Sequence, residues 1–122
     1  DSALDQLVMA QKLDPNSVEI VLEIGRLYCR ASKPEKAVET VKSLAPTGNE
    51  QAALRAFVLG KSYRMTKDWA QAEKNLLDAL KHNPNNSETL YELGRVYHLQ
   101  DQKEKALELY SKSLELIYGN GQ

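Results

Sequence analysis

The chain has 122 residues, of which 42% are hydrophobic and 27% are charged, as is typical of one soluble globular domain. A formal net charge of −1 provides no basic surface for a phosphate backbone, so we expect no nucleic-acid partner. No apolar run approaches the ~18 residues of a membrane span and no signal-peptide pattern is present, so we expect no direct membrane contact. Because the sequence begins with Asp1 rather than Met, we expect a piece of a larger protein, and its compartment stays open.

Apolar residues recur along the chain at the spacing of an α-helix, with polar breaks between the periodic segments. The pattern predicts helices over residues 2–13, 17–30, 34–45, 50–65, 68–82, 87–99 and 103–117. Pro34 suits the first turn of its helix, where a missing N–H is tolerated. The connections are short, which makes neighbouring helices antiparallel.

A repeat of 34–35 residues is marked by glycines inside three of these helices, at Gly25, Gly60 and Gly94. A helical glycine is about 1 kcal/mol less favourable than alanine, so its recurrence indicates a packing requirement. Three residues after each glycine stands a tyrosine, and twelve residues after it an alanine: Tyr28, Tyr63 and Tyr97, then Ala37, Ala72 and Ala106. We expect the small residues to let paired helices approach closely and the tyrosines to fill the space between adjacent pairs.

This pattern resembles the tetratricopeptide repeat family. It is carried by Leu90-x2-Leu93-Gly94-x2-Tyr97, then Ala106-x3-Tyr110, and by the matching residues of the two earlier units. Asn49 stands where that family often has proline, and the large aromatic residue common at the first position is absent. The resemblance implies an all-α fold, a right-handed superhelical solenoid of antiparallel helix hairpins. It divides the chain into the second helix of a truncated repeat (1–17), three repeats (18–52, 53–86 and 87–118) and a tail (119–122).

Side chains for catalysis or metal binding are sparse. His82 and His98 are the only histidines, and by the repeat register they lie on different helices. Cys29 and His98 occupy equivalent positions two repeats apart, too far for a shared metal or a Cys–His pair. We therefore expect no enzyme activity, no cofactor and no metal site. The expected function is a non-enzymatic module that binds a peptide or a segment of a protein partner.

The concave surface of such a solenoid is formed by the first helix of each repeat. The face opposite the buried stripe contains an apolar row, a basic row one turn further along and flanking side chains. The predicted binding residues are Leu22, Arg26, Arg30, Leu54, Phe57, Val58, Lys61, Arg64, Tyr91 and Arg95. They favour a partner with hydrophobic and acidic residues.

Two alternatives stay open for this face. The charges could be local i,i+3 pairs, Glu23 with Arg26 and Glu92 with Arg95, on solvated helices. The middle helix, 50–65, is apolar almost all round, so it could instead be buried on both faces.

The ends of the chain suggest a different function, self-assembly as a structural element. In the last helix Leu107, Tyr110, Leu114 and Ile117 form the stripe expected to pack within its own hairpin, and Leu109 and Leu116 lie off it. At the other end Leu4 and Val8 lack a partner helix. Uncovered apolar strips of this kind favour association between copies of the chain.

Overall fold

A computed structural model describes residues 2–119, and over this range the chain is all-α, with seven helices and no strand. Asp1 and residues 120–122, which include most of the predicted tail, lie outside the described residues. The predicted helices are confirmed, most of them to within two residues at each end. Their bounds are α1 Ser2–Leu13, α2 Val18–Arg30, α3 Pro34–Val41, α4 Gly48–Met65, α5 Trp69–His82, α6 Ser87–Leu99 and α7 Lys103–Tyr118.

Local sequence explains where several helices begin. The side chains of Ser17, Asp68 and Asn86 accept hydrogen bonds from backbone N–H groups three residues on, at 3.3, 3.3 and 2.9 Å. These bonds satisfy N–H groups that have no partner within the helix. Pro34 stands at the start of α3, as its fixed φ favours.

The turns inside the three hairpins share one conformation. Ser32, Lys67 and Asp101 stand seven residues after the three helical glycines and have φ values of 61°, 66° and 63°. At each turn the next residue donates its N–H to the carbonyl of the repeat tyrosine, at 2.9 Å. This hydrogen bond defines the Schellman ending of a helix. Each first helix is therefore stopped in the same way, and each chain reversal has the same geometry.

Close packing within each hairpin explains the three glycines. A Cβ atom at Gly60 would lie 2.5 Å from Leu76 Cγ, and at Gly94 it would lie 2.7 Å from Tyr110 Cε1. At Gly25 it would lie 2.5 Å from Cγ1 of Val41. Each contact joins the glycine to the residue sixteen positions later on the second helix. The predicted close approach is therefore confirmed, and the three repeat alanines, Ala37, Ala72 and Ala106, are buried beside it.

The repeat tyrosines pack between neighbouring helices. Tyr97 on α6 donates its hydroxyl hydrogen bond to Glu73 Oε2 on α5, at 2.6 Å, across a hairpin boundary. Tyr28 and Tyr63 are half-buried against the core. Tyr97 thus confirms the expected contact between hairpins.

The connection between the first two hairpins departs from the prediction. α3 ends at Val41 rather than near residue 45, and α4 begins at Gly48. Arg55 on α4 donates from Nε to the Val41 carbonyl at 3.0 Å and from its terminal nitrogen to the Lys42 carbonyl. These bonds satisfy carbonyl groups at the end of the shortened helix. Residues 45–50 are therefore partly loop and partly the first turn of α4.

The helices stack in chain order. α2 pairs with α3, α4 with α5 and α6 with α7, and each later first helix packs on both helices of the hairpin before it. One apolar core runs through the stack, including Leu22, Val41, Val58, Leu76 and Leu93. No helix within residues 2–119 has both the length and the apolar character required to cross a membrane.

Candidate functional site

The exposed fraction of the residue three positions before each repeat glycine shows which part of the surface is open. Leu22 and Phe57 occupy this position in the first two hairpins and are 1% and 6% exposed, whereas Tyr91 in the third is 46% exposed. The difference arises because α4 covers Leu22 and α6 covers Phe57, while no described helix follows α7. The face predicted to be open is therefore a contact surface for the next hairpin.

Three predicted binding residues are consequently not on an open surface. Leu22, Phe57 and Val58 belong to the buried core. The prediction that they line an exposed groove is wrong for Leu22 and Val58, while Phe57, 6% exposed, borders a small cavity between α2, α4 and the start of α6. The alternative for the middle helix, burial on both faces, is confirmed for Phe57 and Val58. Leu54 is half-buried against the same core.

The predicted basic residues are also differently placed. Arg64 and Lys61 face a carboxylate of the protein itself, because Glu92 Oε1 lies 2.6 Å from Arg64 Nε and Glu92 Oε2 lies 4.0 Å from Lys61 Nζ. Arg26 pairs with Glu23 at 3.6 Å, as the local alternative predicted. The prediction of a local Glu92–Arg95 pair is wrong, because the Glu92 carboxylate lies against Arg64 rather than Arg95. Arg30 is exposed at the end of α2.

A small cavity of about 210 Å³ lies on the inner side of the stack, between α2, α4 and the start of α6. Three carboxylates line it, those of Glu23, Glu50 and Glu88, beside a single base, Arg26. Because Arg26 is already paired with Glu23, this surface offers no free positive charge to an acidic ligand.

An open groove lies between α6 and α7, with a volume of about 1040 Å³. We call it the terminal groove. Its lining combines exposed apolar side chains with a cation and two tyrosines, and consists of Ser87, Glu88, Tyr91, Arg95, His98, Leu99, Tyr110, Ser113, Leu114 and Ile117. Two of the predicted binding residues, Tyr91 and Arg95, therefore meet here.

An aromatic cluster forms the floor of the terminal groove. The Tyr91 and Tyr110 rings lie 5.7 Å apart, and the hydroxyl of Tyr110 lies 3.3 Å from His98 Nδ1. Burial, and then the neighbouring Tyr91, raise the pKa of Tyr110, so this hydroxyl stays protonated and can hydrogen-bond. Arg95 Cζ lies 5.8 Å from the Tyr91 ring centroid, within cation–π range.

Sequence reasoning assigned the faces of α7 correctly for Tyr110, which packs against Gly94, and for the exposed Leu116, but incorrectly for its other large apolar residues. Leu107, Leu114 and Ile117 are 64%, 53% and 57% exposed, whereas Leu109 packs partly against the core. The inward positions are held by Ala106, Leu109, Tyr110 and Ser113. Ser113 donates its hydroxyl hydrogen bond to the Ser87 carbonyl at 2.9 Å. The small inward residues turn the larger apolar side chains of α7 outward.

The groups that could perform chemistry are separated. Cys29 is buried, and its Sγ lies 3.0 Å from Ser62 Oγ; burial is the main cause that raises its pKa. His82 lies near Asn49 and Asp78, far from the terminal groove in the chain order of hairpins. Within residues 2–119, no three His, Cys, Asp or Glu side chains are grouped as a metal site would need.

A sequence model of the tetratricopeptide repeat matches residues 52–117, more than half of the chain. The chain belongs to the tetratricopeptide repeat family. It is 29% identical over 120 residues to the anaphase-promoting complex subunit CDC16 of Saccharomyces cerevisiae, covering 93% of this chain but only 14% of that subunit.

Solved structures support the same assignment. A crystal structure of MamA is 29% identical and superposes with a TM-score of 0.72, covering 93% of this chain and 66% of MamA. A MamA structure from Desulfovibrio magneticus RS-1, at 18% identity, matches 99% of this chain and 68% of that protein with a TM-score of 0.77. The tetratricopeptide chain described here is thus an all-α solenoid of stacked hairpins and a protein-interaction module.

Proposed function

We propose that this tetratricopeptide chain is a non-enzymatic module that binds a segment of a protein partner in the terminal groove. One observation supports this most directly. The position held by Leu22 and Phe57 is covered by a helix in both earlier hairpins, and in the last hairpin its equivalent, Tyr91, is open.

The apolar side chains around Tyr91 make an open groove unfavourable in water. Leu99, Leu114 and Ile117 each expose more than half of their surface and line the same groove. Contiguous exposed apolar surface marks protein-interaction sites. A partner segment in this groove would bury these side chains together with the aromatic floor.

The relatives are consistent with a role in assembly. CDC16 is, by its name, a subunit of the anaphase-promoting complex, and this chain matches 14% of it. We retain the prediction of a partner with hydrophobic residues and a carboxylate. It is supported by Arg95, which lies in the groove and forms no ion pair with any residue in 2–119.

Peptide selection against the chain tests this function. Displayed peptides selected on the wild-type protein would be measured against Tyr91→Lys/Leu114→Lys, which changes only exposed positions of the groove, and against Leu77→Lys, an exposed leucine on α5 outside it. We expect the groove variant to lose at least about tenfold in affinity and the control to bind as wild type. Selected peptides that bind both variants equally would contradict the terminal groove as the site.

Self-assembly is the second candidate function, and exposed apolar residues at both ends of the stack favour it. Met9 and Leu13 on α1 are 64% and 87% exposed, and Leu107 on α7 is 64% exposed. Light scattering over a concentration series would detect it. An increase in mass that disappears in Met9→Lys/Leu107→Lys would support association through the ends, and a constant monomer mass would exclude it.

A further inference from the structure

The terminal groove repeats an interface that is already occupied elsewhere in the molecule. Relative to the repeat glycines, Tyr91, Arg95 and His98 hold the same positions as Phe57, Lys61 and Arg64 on α4. In the second hairpin these positions contact α6, which also packs against α5. The seat of α6 on α4 and α5 therefore shows how a helix would lie on α6 and α7.

The contact that holds α6 in this seat is a carboxylate. Glu92 reaches Arg64 at 2.6 Å and Lys61 at 4.0 Å, and its side chain is only 5% exposed. Both bases have counterparts in the terminal groove, the Arg95 guanidinium and the His98 imidazole. A carboxylate at the Glu92 position of an incoming helix would lie between them.

In the first hairpin a helix packs in the equivalent position, but the side chains that meet there are different. There α4 packs on α2 and α3, and the Glu92 position is held by Val58, whose carbonyl lies 3.6 Å from Cys29 Sγ. Cys29 stands at the position of Arg64 and His98, and Arg26, at the position of Lys61 and Arg95, pairs with Glu23 on its own helix. The incoming residue is therefore apolar in the first hairpin, where the base equivalent to Arg64 is absent, and the terminal groove, with His98 at that position, resembles the second hairpin.

We propose that the terminal groove binds an amphipathic α-helix of a protein partner that presents a carboxylate to Arg95 and His98, seated as α6 is seated on α4 and α5. This inference rests on the proposed function and names the shape and charge of the ligand. The apolar face of the helix covers Tyr91, Leu114 and Ile117, and the carboxylate gives Arg95 the ion pair that it lacks within residues 2–119.

A second copy of the chain does not supply such a helix. α2 carries Glu23 at the Glu92 position, but α1 already packs against α2 as α5 packs against α6. In the terminal groove α7 takes that place, so α2 of another copy would bring α1 into collision with α7. α6 is enclosed in its own stack.

The probe for this proposal is a labelled peptide of residues 86–99, the sequence of α6 with its capping Asn86, cross-linked i to i+4 to hold the helix. Fluorescence anisotropy would measure its affinity for the whole chain. Arg95→Glu in the chain and Glu92→Gln in the peptide should each weaken binding about tenfold, the scale of a close charge pair. Lys103→Glu, an exposed change at the start of α7, is the matched control and should bind as wild type.

Charge exchange makes the test specific. The Arg95→Glu chain should regain affinity for the peptide with Glu92→Lys, to within about threefold of the wild-type pair, because the ion pair is restored in reverse. Recovery supports the proposal, and binding that is insensitive to the charge at residue 95 overturns it.

The remaining outcomes separate this inference from the proposed function. If the selected peptides bind in the groove but the α6 peptide does not bind at all, the helical ligand is wrong and the binding site stands. If no peptide depends on Tyr91 and Leu114, both are wrong. Self-association of the wild-type chain that Leu114→Lys abolishes would make a second copy the occupant and overturn the partner helix.

Discussion

The guanidinium Nε of Arg64 lies 2.6 Å from the Glu92 carboxylate, and this ion pair joins α4 to α6 across the boundary between two hairpins. The two side chains are only 11% and 5% exposed. Every buried side-chain nitrogen and oxygen in residues 2–119 has a hydrogen-bond partner. Removing Glu92 would leave Arg64 without its counter-charge, whereas Glu92 would keep Lys61 at 4.0 Å if Arg64 were removed.

We predict that Glu92→Gln lowers the free energy of unfolding by about 3 kcal/mol, because Arg64 is left buried without its counter-charge. Replacing both residues by methionine should recover part of the loss, since the Arg64 charge is removed and only Lys61 loses a carboxylate partner. Urea unfolding of Glu92→Met, Arg64→Met and the double variant gives the coupling energy between the two residues. Glu23→Gln, in the exposed pair with Arg26, serves as the control and should change stability by under about 1 kcal/mol. A Glu92 variant no worse than this control would contradict the structural role of the pair.

The glycine contacts predict different responses to alanine in two hairpins. At Gly60 the added Cβ would meet Leu76 at both its side chain and its backbone N, the latter at 3.1 Å, and Leu76 is fully buried. At Gly94 the three nearest atoms all belong to the ring of Tyr110, which borders the open groove, so we expect the ring to shift into that space. We expect Gly60→Ala to destabilise by about 2 kcal/mol through overpacking, despite the better helix propensity of alanine. Gly94→Ala should change stability by less than about 1 kcal/mol, and thermal unfolding of both variants would show whether this order holds.

Deprotonation of Tyr97 is expected to lower the stability of the folded protein at high pH. Burial, followed by the hydrogen bond to Glu73, raises its pKa from 10.0 to about 12. The folded state therefore binds this proton more tightly than the unfolded state, so its contribution is complete below pH 10 and is lost as the pH rises from about 10 to 12. Absorbance titration of tyrosinate should show this group titrating late, and Tyr97→Phe should remove it. Glu73→Gln should move it to lower pH; an unchanged titration in that variant would exclude Glu73 as a cause.

Arg55 predicts a local effect on α3. This eight-residue helix ends with carbonyl groups that accept hydrogen bonds from the Arg55 guanidinium. We expect Arg55→Ala to destabilise the chain by about 1–2 kcal/mol and to increase amide hydrogen exchange in α3. Arg55→Lys retains the charge but cannot form both bonds, so it should recover only part of the protection. Equal exchange in α3 and α7 after the alanine substitution would argue against a local cap.

The sequence was sufficient for the helices and the repeat because both depend on local periodicity. The spacing of Gly25, Gly60 and Gly94 located the close contacts within each hairpin, and the Pro34 signal located a helix start. It was insufficient for the end of α3, because the Arg55 contacts join residues on different helices and follow no periodic pattern.

The open surface could not be assigned because a helical wheel shows which residues share a face but not how many neighbours surround the helix. Phe57 and Tyr91 are equivalent in the repeat, and only the stacking order makes one buried and the other exposed. The pairing of Glu92 with Arg64 was missed for the same reason. One signal was available, since Val58, the residue matching Glu92 in the previous repeat, is apolar and indicates a buried position.

The three identical turns at Ser32, Lys67 and Asp101 have a consequence for how the chain folds. Each turn brings together helices that are adjacent in sequence, and contacts between hairpins link only neighbours. Within residues 2–119, no packing contact joins the first helix to the last, so only short loops must close during folding, which favours rapid folding. Because each hairpin contacts only its neighbours, we expect a stretching force to unfold the protein one hairpin at a time from an end.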